Sequence, residues 1–152
     1  MAAPFGSQNL DHLGLVAGMY DELDISEVLD RSVRQDMTQR QVTVGQAVKA
    51  LVLNGLGFIN RALYLLPQFF ADKPTEQLIG PGILPEHLND DVLGRALDAL
   101  YEQDVTTLFT LISAQACQRL GLKGVTVHLD STSFHVDGDY DREAEVGVVT
   151  LT

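Results

Sequence analysis

A carboxylate, two imidazoles and three hydroxyls crowd into one short stretch, His128-Leu129-Asp130-Ser131-Thr132-Ser133-Phe134-His135. It continues a run, Gly124-Val125-Thr126-Val127-His128-Leu129-Asp130, in which Val125, Val127 and Leu129 alternate with Thr126, His128 and Asp130. A period of two predicts a β-strand with the polar set on one face. Asp130 then stands at the end of a half-buried strand, a position suited to a hard metal ion or to acid–base work. The competing reading is a strand-end aspartate that caps the following turn through its own side chain.

Other chemistries fit the same region less well. Asp137-Gly138-Asp139-Tyr140-Asp141 opens like a calcium loop, but Arg142 stands where glycine is needed and Val148 where the bidentate glutamate belongs. That favours a hairpin turn with solvated acids. A phosphatase-type nucleophile at Asp130 would want a second acid where Thr132 stands. The spacing of His128 and His135 matches no strong zinc pattern. Further upstream, Gly55-Leu56-Gly57-Phe58 has no strand before it and no lysine after it, so it reads as helix termination or close helix packing rather than a nucleotide loop.

The formal net charge is −11, which opposes strong binding to a phosphate backbone. The locally basic segment runs from Arg31 through Arg34 and Arg40 to Lys49, with Asp36 its one acid. These four side chains are the candidate DNA contacts, and a solvated helix face is the alternative. Apolar runs break too soon to span a bilayer, and no basic-then-apolar leader opens the chain. Together with the single cysteine these features point to the cytoplasm. Cys117 itself lies in an apolar helical pattern and is expected in the core.

The elements that must position Asp130 are helical. Leu10, Leu13, Val16 and Ala17, then Ile25, Val28, Leu29 and Val33, predict two short helices parted near Asp24, the second capped by Ser26. Thr43 caps a longer helix through Val44, Ala47, Val48 and Leu51, ending near Asn54-Gly55. An apolar patch over 61–70 is interrupted by Pro67, and a brief turn of helix is expected at 75–78. Asn89 caps a helix carrying Leu93, Ala96, Leu97 and Leu100, and a last helix covers about 105–120 and stops at Gly121. The switch of period at 122–124 divides a helical domain, 1–122, from a β-hairpin, 123–152, whose second strand is Val146–Thr152. The fold class is therefore mainly α, with a C-terminal β-hairpin. A lone hairpin is only marginally stable, so it needs the helices to cover it, another chain or further strands.

Short blocks spread along the chain resemble the N-terminal part of a bacterial insertion-sequence transposase with a DDE active site, on the IS sixteen thirty-four-like branch of the IS four group. They are Leu10–Val16, Gly45–Ala50, Leu53–Phe58, Leu63–Leu65, Phe69–Pro74, Asn89–Asp98 and His128–Phe134. The resemblance implies a helical N-terminal domain ahead of a ribonuclease-H-like catalytic domain, of which the hairpin would be the beginning. It also implies that Asp130 is the first acid of the triad and a ligand of Mg²⁺. Strand transfer is an in-line displacement at a phosphodiester, assisted by two metal ions about 3.5–4 Å apart, and carboxylate oxygens suit Mg²⁺.

The second aspartate and the glutamate of the triad have no counterpart among residues 131–152, since the acids there crowd into the hairpin turn. The expectation is therefore a truncated transposase fragment, inactive alone, binding DNA weakly. It could form a homo-oligomer or associate with intact transposase. The alternative is a non-catalytic helical module that regulates intact transposase by dimerising with it.

Overall fold

The computed structural model describes residues 10–34, 41–57 and 61–123. No strand occurs among the described residues, and no helix there is long and apolar enough to cross a membrane. The expected hairpin, from Gly124 onward, lies outside them.

The first two helices, α1 (Leu13–Glu22) and α2 (Ile25–Ser32), meet at a corner made by Asp24, whose backbone is left-handed at φ 52°. Aspartate tolerates that conformation better than most residues. Asp24 therefore precedes α2 and its carbonyl accepts from the Val28 amide at 3.0 Å. The expected cap, Ser26, lies instead inside the first turn, because the sharp corner starts the helix earlier. Helix α3 (Val44–Gly55) opens as the sequence predicts. The Thr43 hydroxyl accepts from the Gln46 amide and the Gln46 side chain accepts from the Thr43 amide, a reciprocal capping box.

Pro67 starts a helix rather than breaking one. A 3₁₀ turn at Leu63–Leu65 leads into α4 (Leu66–Phe70), with Pro67 in the first turn where its missing N–H has no helical partner to lose. After α5 (Thr75–Leu78) and a second 3₁₀ turn (Pro85–His87) comes α6 (Asp90–Glu102). It is capped by Asn89, whose side chain accepts from Val92 N at 3.0 Å. Asp90 and Asp91 in its first turn suit the positive end of the helix dipole. Helix α7 (Val105–Arg119) ends before Gly121, which takes a left-handed φ of 61°.

One hydrophobic core joins α1 to α7. Leu29, Leu53, Leu66, Phe70, Leu78, Leu88 and Leu93 are fully buried, each worth about 1.5–3 kcal/mol of transfer free energy. Helix α3 runs through the middle, against α1, α2 and α6. Helix α7 contributes just one buried residue, Leu108. Cys117 is accordingly exposed, not in the core. Apolar residues fall nearly all round α7, so periodicity could not tell which side faces inward.

Candidate functional site

Three of the blocks singled out in the sequence converge on a cleft of about 440 Å³. Asp11 and His12 come from the turn before α1, Gly57 from just past α3, Phe69 from the end of α4, and Asp72 and Lys73 from the turn after it. The backbone of Asp11 is left-handed, at φ 45°. The adjoining His12 ring meets the carbonyl of Leu56 through Nε2 at 2.8 Å. A carbonyl can only accept, so Nε2 carries the proton in this contact. The imidazole thus ties the start of α1 to the end of α3, forty-four residues along the chain.

Asn54, near the end of α3, is hydrogen-bonded to Arg61. Its Nδ2 donates to the Arg61 carbonyl at 2.7 Å and its Oδ1 accepts from the Arg61 amide at 2.8 Å. The side chain is nearly buried, and the paired bonds replace the water it loses. Beside it Gly57 faces the ring of Phe69. A Cβ at residue 57 would come within 3.2 Å of that ring, so this glycine serves close packing.

Lys73 is fully engaged within the cleft wall. Its Nζ donates to the Phe69 carbonyl at 2.7 Å and to Asp72 Oδ1 at 2.8 Å, and lies 4.4 Å from the centre of the Phe69 ring. Hydrogen bonding and charge from Lys73 hold the Asp72 carboxyl below its ordinary value. Arg61 stands exposed on the rim. The cleft therefore sets two cations and an imidazole against the two carboxylates of Asp11 and Asp72. Such a mixed surface can pin chain segments or receive a small polar group. It is not a concentrated phosphate trap.

The residues expected to contact DNA are separated by the fold. Arg31 is exposed on the last turn of α2, with its Nε donating to the Glu27 carbonyl at 3.3 Å and its guanidinium 3.6 Å from the Glu27 carboxylate. Arg34 is exposed just beyond that helix. Lys49 points the other way. It is 2% exposed, and its ammonium donates to both carboxylate oxygens of Asp21 at 2.7 and 2.8 Å, 5.9 Å from the centre of the Tyr20 ring. A phosphate could reach it only by breaking that pair, so Lys49 belongs to the packing of α1 on α3 rather than to a basic surface. Arg40 and Asp130 lie outside the described residues. Among the described residues no three His, Cys, Asp or Glu side chains gather closely enough to hold a metal ion.

The Lys49–Asp21 pair gives a clear expectation. Asp21→Asn leaves a buried ammonium without its counter-charge, and Asp21 is itself half exposed, which moderates the loss to about 1–2 kcal/mol. Lys49→Met keeps the apolar stem and removes the need for a partner, so it should change stability by under about 1 kcal/mol. Urea unfolding of both variants checks the ordering. A neutral Asp21→Asn beside a collapsed Lys49→Met would refute it.

Nothing in the sequence by itself marks His12, Asn54, Asp21 or Lys73 as part of a site. The one available signal was that each of them except Asp21 lies in a block that carried the resemblance.

The family model described as a domain of unknown function, DUF4277, matches residues 5–114. The chain therefore belongs to the DUF4277 family. That match takes in α1 to α6, the cleft and much of α7, and stops short of Asp130. No curated protein and no solved structure matches the chain.

Proposed function

We propose that this chain is the N-terminal part of a DDE transposase, on the IS sixteen thirty-four-like branch of the IS four group, with Asp130 the first acid of the catalytic triad. The observation that supports this reading best is the way the resembling blocks are used. Asp11–Leu13, Gly57 and Phe69 with Asp72 and Lys73, from three of those blocks, line a single cleft. Gly45–Ala50 opens the central helix, and Asn89–Asp98 carries the cap and stripe of α6. Residues scattered in sequence but joined in the fold are what a shared domain needs. In this reading Mg²⁺ would be held by Asp130 together with acids supplied after residue 152, and it would neutralise charge at the scissile phosphate. The part played by the described helices is to carry the segment that bears Asp130.

Contact with DNA falls in this reading to Arg31 and Arg34, with Arg40 beside them in sequence. Binding should be weak and electrostatic, because the rest of the chain is acidic. With two or three cations engaged, the affinity should fall with salt at a logarithmic slope of about −2 to −3. Fluorescence anisotropy of a labelled duplex, titrated with NaCl, measures it. Arg31→Ala combined with Arg34→Ala should remove most of the binding at low salt. Tight, sequence-specific binding that survives physiological salt, or no change in the double variant, would contradict this assignment.

A further inference from the structure

We infer that the apolar groove between α6 and α7 is the seat of this chain's own segment after Lys123, with Val125, Val127 and Leu129 packed into it. The groove has a volume of about 620 Å³, its floor made by Leu29 and Leu108 and its rim by Leu97, Tyr101, Val105 and Phe109. The rim is open to solvent, with Tyr101 81%, Phe109 69% and Val105 58% exposed. From Val105 to Gln118 helix α7 carries no charged residue. A long helix with one buried residue and no charge before its last residue, Arg119, is a face built to be covered.

Three observations select the occupant. The covering segment must present apolar side chains on one side, and Val125, Val127 and Leu129 alternate in just that way. The reach is adequate. Returning from Arg119 to the level of Phe109 is about 15 Å along the helix, and the six residues 124–129, extended, span about 20 Å. The connection through Gly121–Lys123 also supplies an effective concentration of order millimolar. A second copy lacks that advantage and brings another net charge of −11 against the first. Docked in this register, Thr126, His128 and Asp130 would face away from α7. The docking itself does not depend on the transposase reading.

The test is a nuclear Overhauser experiment on the whole chain with labelled Ile, Leu and Val methyls, paired with sedimentation. The expected result is contacts from the methyls of Val125, Val127 and Leu129 to Val105, Ile112 and the Phe109 ring, at a mass of 16.6 kDa. Val127→Asp should abolish those contacts and shift the Phe109 ring signals, with the methyls of Leu53 and Leu93 unmoved. If that variant does not fold, the wild-type contacts alone decide. Absence of the contacts overturns the proposal. So do contacts that appear only between differently labelled copies, at twice the mass.

Discussion

Gly45→Ala should destabilise the protein by about 2–4 kcal/mol, although alanine is the better helix former. In the first turn of α3, a Cβ on this residue would lie 2.6 Å from both the Cα and the carbonyl oxygen of Ser26. Those are backbone atoms of α2 and cannot swing aside. Relief requires the two helices to separate by close to 1 Å, which loosens the core that Leu29 of α2 shares with Ala47 and Ala50 of α3. Two polar contacts would be disturbed with it. The Gly45 amide donates to Asp30 Oδ1 at 2.7 Å, and the Gly45 carbonyl accepts from the Tyr20 hydroxyl at 3.0 Å. Burial raises the Tyr20 pKa, so this phenol stays protonated and remains a donor.

Against these losses the intrinsic helix preference of alanine returns about 1 kcal/mol at most. Two to four kcal/mol is a large part of the stability of a single domain. Thermal unfolding should fall by roughly 10 °C. A Gly45→Ala protein that melts at or above the wild-type temperature would show that α2 and α3 do not meet as closely as described.

That contact also marks where the sequence stops being legible. The helices were readable because their signals are local. Thr43 with Gln46, Asn89 with Asp90 and Asp91, and the stripe of Leu93 and Ala96 each operate within one or two turns. Gly45 sends no such signal, since its use depends on Ser26 arriving from another helix. Lys49 shows the same limit in charge. In the sequence it extends a basic segment, yet in space Asp21, on α1, draws it inward and Tyr20 covers it. The exposure of Cys117 is not legible either, because α7 is apolar on too many sides for periodicity to choose a face.

The candidate cleft divides in the same way. Its parts were visible as short blocks, but the contacts of His12 with Leu56 and of Asn54 with Arg61 became apparent only when the chain closed on itself. Of the four candidate DNA contacts, the two described on the surface, Arg31 and Arg34, lie within one turn of each other in sequence. Asp130, the most chemically suggestive residue of the chain, lies outside the described residues, so the role proposed for it rests on the strand pattern and the resemblance.

The largest expected effect concerns Asp130. In a two-metal displacement the first carboxylate fixes an ion against the scissile phosphate. A neutral amide of the same shape can neither balance that ion's charge nor bridge it to the substrate. If Asp130 is the first acid of such a triad, as proposed, residues 1–152 alone should not nick DNA in Mg²⁺ or Mn²⁺. Joined to a segment that supplies the remaining aspartate and glutamate of a ribonuclease-H-like domain, they should. His128→Ala in that longer protein should reduce cleavage far less than loss of the acid, because His128 flanks the carboxylate and is not assigned as a ligand. The most direct measurement is Mg²⁺-dependent strand cleavage by this longer protein, wild type against Asp130→Asn, with DNA binding and circular dichroism followed in parallel. Asp130→Asn should lower cleavage at least about a thousandfold, equivalent to some 4 kcal/mol of barrier, with binding and fold unchanged. Cleavage at the wild-type rate by Asp130→Asn would contradict the role proposed for Asp130.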